Sequence, residues 1–125
     1  MKRLEERKSD LEKALKKLEE AIKESKTELG IDGTLHRFEF TFELAWKTIK
    51  DYLEYQGVIE NTGSPREVIK AGFKQGLIED GEGWIDMMLS RNSLSHLYDE
   101  HKSREIYDLI KNEYMDLLKD VLQKV

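Results

Sequence analysis

The chain has 125 residues, 38% of them hydrophobic and 38% charged, with one Pro and no Cys, which fits one domain with a single core and excludes disulfide frameworks and cysteine metal sites. It contains no run of about 18 apolar residues, and its N-terminus is charged throughout, so it reads as a soluble, cytoplasmic chain without a membrane span or a visible export signal. The net charge is −5, and residues 1–28 hold nine basic against eight acidic side chains, leaving twelve against eighteen in the rest; this argues against broad binding to a nucleic-acid backbone, so no DNA partner is expected and any RNA contact has to be local.

Leu4, Leu11, Leu15, Leu18 and Ile22 recur at threes, fours and sevens, with Ala14 and Ala21 beside them. This spacing predicts an amphipathic helix from about residue 2 to 27. Leu29-Gly-Ile-Asp-Gly33 is expected to break it, because two glycines around an aspartate favour a turn. From His36 the helical period returns and runs to about Gln56, with Gly57 as its stop. Phe38, Phe42, Ala45, Ile49, Tyr52 and Leu53 mark one face of that helix, and Phe40, Leu44 and Trp46 widen it. So wide a face needs more than one neighbour, and a central bundle helix supplies them; part of the aromatic surface is also available to a subunit interface.

Ser64-Pro-Arg-Glu67 carries a strong helix start: Ser at the N-cap, Pro at the first position and Glu at the third. Val68, Ile69, Ala71 and Phe73 continue a short helix that Gly76 can close. Leu77 to Gly83 reads as a connector, with the next helix starting at Trp84. Either Asp99 or Ser103 is placed to cap the last helix, whose apolar positions run from Ile106 through Ile110, Tyr114 and Leu118 to Leu122. Four long or medium helices and one short one, joined mostly by short loops, predict an all-α fold: an antiparallel up-and-down bundle of four or five helices over residues 1–125.

The chemistry concentrates in Arg91-Asn-Ser-Leu-Ser-His96-Leu-Tyr98. Arginine holds phosphate through parallel charge-assisted hydrogen bonds, and histidine moves protons near neutral pH, so Arg91, Asn92, His96 and Tyr98 form the candidate site for a nucleotide or RNA phosphate. In a continuous helix Arg91 and His96 point roughly 140° apart, while Asn92 and His96 share a face. Either the helix ends between Arg91 and His96, or a second copy of the chain completes the site. The three histidines, at 36, 96 and 101, are too scattered for metal ligation, and no glycine-rich phosphate loop is present, so neither metal nor cofactor is expected. His36 and His101 read as surface residues.

Two stretches carry a family resemblance: Arg37-Phe-Glu-Phe-Thr-Phe-Glu-Leu-Ala-Trp to Leu53, and Ser64-Pro-Arg-Glu-Val through Gly76-Leu-Ile-Glu-Asp-Gly to Arg91-Asn-Ser-Leu-Ser-His96-Leu-Tyr98-Asp-Glu100. They resemble the nucleotidyltransferase substrate-binding protein family, a branch of the HEPN superfamily of helical domains. The resemblance implies a homodimeric bundle partnering a separately encoded minimal nucleotidyltransferase, in a two-component, toxin–antitoxin-like system. In the wider superfamily an Arg and a His spaced as Arg91 and His96 mark metal-independent ribonucleases. Tyr98 matches the tyrosine that, in some of these toxins, the partner adenylylates. Two functions therefore compete: a nucleotide- or substrate-binding subunit, and a ribonuclease using Arg91 and His96.

Overall fold

The computed structural model describes residues 2–24, 27–58, 63–96 and 99–125. Helices account for nearly all of them, in the order α1 (Lys2–Glu24), α2 (Glu28–Tyr55), α3 (Pro65–Lys74), α4 (Gly81–Ser93), a 3-10 turn (Leu94–His96), α5 (Glu100–Leu109), a π-helical segment (Ile110–Tyr114) and α6 (Met115–Lys124). The last three run on without a break as one rod. No strand occurs among the described residues.

Long-range contacts give the helix directions. Arg7 of α1 meets Asp51 of α2, and Arg37 of α2 donates to the Lys17 carbonyl at 2.6 Å, so α1 and α2 run antiparallel. Lys8 reaches the carbonyl of Val125 at 2.6 Å and Tyr107 that of Ile22 at 3.1 Å, setting the C-terminal rod antiparallel to α1. Gly83 lies against Leu117 and Ser90 bonds Tyr114, setting α4 antiparallel to the rod. The result is the expected up-down-up-down bundle, with α3 as a short insertion between α2 and α4. One apolar cluster fills it, built from Leu11, Leu15 and Leu18 of α1, Phe38, Phe42 and Ile49 of α2, Trp84 and Met87 of α4, and Ile110 and Leu118 of the rod.

The expected break at Leu29 to Gly33 is not found: α2 starts at Glu28 and takes Gly30 and Gly33 into its first turns. Thr27 caps it, accepting from the Gly30 N–H at 3.0 Å. Ile31, Thr34 and Leu35 are buried and carry the period of Phe38 backwards. Burial of that face outweighs the roughly 1 kcal/mol that each helical glycine costs. Thr34, Thr41 and Thr48, spaced by sevens and fully buried, return their hydroxyls to the carbonyls of Gly30, Arg37 and Leu44, so this stripe enters the core without orphaned polar atoms.

Gly57 ends α2 at φ +73°, and Gly76 follows α3 at φ +82°, as their positions in the sequence predict. Ser64 caps α3 through the Glu67 N–H at 3.1 Å. Helix α4 starts at Gly81 and not at Trp84, because Asp80 caps it by accepting from the Gly83 N–H at 2.8 Å. A Cβ at Gly83 would lie 2.3 Å from that same carboxylate, so this cap requires glycine. Of the two candidates for the last cap, Asp99 is the one used, accepting from the His101 N–H at 2.9 Å. Trp46 joins the buried set, whereas Phe40 and Phe73 stand largely exposed.

Candidate functional site

Helix α4 ends at Ser93, so of the two geometries open for Arg91 and His96 the chain takes the first: the α-helix stops between them and a 3-10 turn carries His96. That turn does not join the two side chains. His96 is exposed and forms no hydrogen bond or ion pair with any described residue. Asn92 does meet Arg91, its Oδ1 accepting from Arg91 Nη1 at 3.1 Å. Tyr98, with Leu97, lies outside the described residues.

Arg91 is the best-held of the predicted residues. Its guanidinium carbon sits 5.5 Å from the centre of the Phe42 ring, and its Nη2 donates to Oε2 of Glu43. Its Nε is buried without a hydrogen-bond partner among the described residues. The ring beneath it belongs to a run of aromatic contacts, Phe42 to Trp84 at 6.1 Å, Phe42 to Phe38 at 6.4 Å, and Phe38 to Tyr114 at 5.6 Å. Tyr114 then bonds Ser90 at 2.7 Å, one residue before Arg91. That bond comes from the π-helical segment, where one widened turn reorients the side chains of the C-terminal rod. Burial pushes the Tyr114 hydroxyl pKa up despite the opposing Ser90 bond, with Asp86 and Glu113 adding to the rise.

Sequence reasoning missed the other wall of the site. His36, Glu39, Phe40 and Glu43 of α2 line a cavity of about 420 Å³ with Arg91. They recur at threes, fours and sevens along α2; the sequence placed Phe40 on the widened apolar face and His36 on the surface, and gave no reason to single out Glu39 or Glu43 among many solvated carboxylates. A second cavity, of about 500 Å³, adjoins through His36 and Glu39 and reaches Leu94 and Ser95 beside His96. Burial alone would raise the Glu43 carboxyl pKa. Hydrogen bonds from Trp46 and Lys47 and the charges of Arg91 and Lys47 outweigh that and hold it below the usual carboxylate value.

A larger cavity, about 960 Å³, lies at the other end of α4, between Phe73 and the Asp80 cap. Five carboxylates, Glu79, Asp80, Glu82, Asp86 and Glu113, face it against one lysine, Lys70. It would repel a phosphate and holds none of the predicted residues, so the smaller Arg91 cavity is the better candidate. Among the described residues no group of three or more His, Asp or Glu is placed to hold a metal ion, and no helix is long and apolar enough to cross a membrane.

The sequence model of the nucleotidyltransferase substrate binding protein-like family matches residues 6–125. The chain belongs to that family. A crystal structure of a protein from Thermus thermophilus is similar, with a TM-score of 0.84 and 32% identity over 91% of this chain and 97% of that one. A Haemophilus influenzae structure, described as revealing the fold of a substrate binding domain of a nucleotidyltransferase, aligns with a TM-score of 0.83 over 94% of this chain and 97% of its own; at 22% identity it speaks for the fold alone. Among curated proteins, the Haemophilus influenzae protein named probable ribonuclease HepT is 30% identical over 80 residues, 62% of this chain. The match spans about half of that relative's length, 55%.

Proposed function

We propose that this chain is the substrate- or nucleotide-binding partner subunit of a separately encoded minimal nucleotidyltransferase, and that it works as a homodimer in a two-component, toxin–antitoxin-like arrangement. Residues 1–125 act in this reading as one domain that presents a phosphate-bearing ligand, while the partner carries the transfer chemistry. The observation that supports it most is the setting of Arg91: a fixed cation over an aromatic ring, steadied by Asn92, at the wall of a cavity of about 420 Å³. That volume falls within the roughly 300–1,000 Å³ usual for small-ligand sites.

Calorimetric titration of the full chain with 5′-AMP tests this reading. Affinity should drop at least tenfold in Arg91→Ala, the size expected for losing a charge-assisted hydrogen bond. Co-expression with a minimal nucleotidyltransferase from the neighbouring reading frame should yield a stable complex. Binding indifferent to Arg91→Ala, or a chain that never associates with the transferase, sinks it.

The second reading is a metal-independent ribonuclease. It draws support from the relative named probable ribonuclease HepT and from the free, exposed imidazole of His96. His96 would take the proton of a ribose 2′-hydroxyl while Arg91 stabilises the charge growing on the phosphate. His96 and Arg91 of one chain share no hydrogen bond, so in this reading a bound RNA phosphate, or the second copy of a homodimer, brings the two groups to one reacting centre. Adenylylation of Tyr98 would then block the site by placing a phosphodiester against Arg91. RNA cleavage in the presence of chelator, abolished by both Arg91→Ala and His96→Ala, would move the ribonuclease ahead of the binding subunit. A monomeric mass by light scattering at high micromolar concentration would count against the homodimer in either reading.

A further inference from the structure

Arg91 already has an anion in its grip. Among the described residues Glu43 is the carboxylate that its guanidinium contacts, through Nη2 and Oε2. A carboxylate and a phosphate engage a guanidinium through the same charge-assisted contacts, so the two compete for one place. We infer that Glu43 is the resident occupant of the Arg91 site: a ligand phosphate takes Arg91 only by displacing the Glu43 carboxylate, which makes Glu43 a built-in competitor. The inference rests on the reading of Arg91 as a phosphate-binding residue and adds to it the group that regulates that site.

The exchange needs only one side chain to turn. Glu43 is about a third exposed, 35%, and so has room to swing outward. In its present position it also meets two residues of its own helix, Trp46 Nε1 on Oε2 at 3.1 Å and Lys47 Nζ on Oε1 at 3.3 Å. Lys47, one turn further along that helix, is a flexible cation placed to follow the displaced carboxylate. Arg91 stays where it is, braced by the Phe42 ring and by Asn92. The released Nη2 and the partnerless Nε lie along one edge of the guanidinium, the geometry that a phosphate takes with two parallel bonds.

Displacing Glu43 costs every ligand that takes Arg91 the same amount, so it weakens phosphomonoesters and internal phosphodiesters alike. Glu39 also lines the cavity but forms no ion pair with Arg91 among the described residues, so it separates direct competition from simple repulsion by a nearby charge.

The test compares wild type, Glu43→Gln, Glu39→Gln and Arg91→Ala as full-length proteins in calorimetric titrations with 5′-AMP and with the deoxydinucleotide d(ApA). The latter has one internal phosphodiester, no terminal phosphate and no 2′-hydroxyl, so it cannot be cleaved by the ribonuclease route. Helical content and melting temperature verify that each variant is folded. Expected are Arg91-dependent binding of 5′-AMP in wild type, and in Glu43→Gln a gain of about tenfold for 5′-AMP and d(ApA) alike. Glu39→Gln removes the same charge from the cavity without touching Arg91, and should shift both ligands by a similar, smaller factor. Binding of 5′-AMP that depends on Arg91 but weakens or stays unchanged in Glu43→Gln overturns the exchange and leaves the nucleotide-binding reading standing. Equal effects of Glu39→Gln and Glu43→Gln also overturn it, since a diffuse field would then account for the gain. Absence of Arg91-dependent binding in every protein overturns the nucleotide-binding reading itself.

Discussion

Helix α2 holds two arginines from neighbouring helices with two carboxylates about two turns apart, and the two pairs sit in very different surroundings. Asp51 accepts from Arg7 Nε at 2.9 Å, with Arg3 at 3.8 Å, and its side chain is only 7% exposed. Glu43 accepts from Arg91, and its side chain is 35% exposed beside a cavity. The chemistry of both pairs is the same, but their reversibility is not. A carboxylate this buried has little water to turn to, and both of its arginine neighbours come from α1, so the pairing staples α1 to α2. Glu43 has solvent on one side and Trp46 and Lys47 on its own helix, so under the proposed exchange its arginine is the one free to pass to a ligand. Burial sets how readily each ion pair opens.

Four substitutions break or sharpen that contrast. Phe42→Ala should have the largest effect, about 3–5 kcal/mol lost in urea unfolding, because it empties a fully buried ring position. It should also abolish Arg91-dependent ligand binding in whatever fraction stays folded, since the ring is the floor of that pair. Asp51→Ala comes next at about 2–3 kcal/mol, below the roughly 3–5 of a sealed pair because Arg7 keeps some solvent access. A loss under about 1 kcal/mol would put Asp51 in the same class as Glu43 and dissolve the distinction.

Tyr114→Phe should cost about 1 kcal/mol, the value of one hydrogen bond whose partner, Ser90, is left half-buried. The Tyr114 pKa is raised in the folded chain, so its contribution is fully present below the unfolded value of 10.0 and is lost as pH rises through the higher folded value. Thermal melts above pH 10 should therefore fall more steeply for wild type than for Tyr114→Phe. Glu43→Gln should change stability least, by under about 1 kcal/mol at neutral pH. Its pKa is lowered in the folded chain, so its contribution is present above the unfolded value of 4.5 and is lost as pH falls through the folded one. The gap between wild type and Glu43→Gln should close on acidification below pH 4.5. A gap that instead widens would mean that Glu43 is not ionised against Arg91.

Local signals read from the residues were sound where one turn or one cap decides the outcome. Ser64, Asp99, Gly57 and Gly76 act as their positions predict, because caps and left-handed turns depend on a few neighbouring atoms. Gly30 and Gly33 misled for the opposite reason. Their local preference for a turn is worth little against the burial of Ile31, Thr34 and Leu35, which depends on α1 being there to cover them. The same limit applies at the site. Arg91, Asn92 and His96 were legible as polar tools, yet the carboxylate that meets Arg91 is 48 positions away.

Periodicity and capping chemistry by themselves determined that this is an all-α bundle and where most of its helices start and stop, and the run of polar residues pointed to Arg91 as the centre of a candidate site. Tertiary structure alone decided that Arg91 lies over Phe42 with Glu43 in its grasp, that His96 is exposed, and that the α2 stripe from His36 to Glu43 forms the facing wall. The division has a physical origin. Helix formation and capping are settled by atoms a few residues apart, whereas the pairing of charges on different helices is settled by the packing of the core that lies between them.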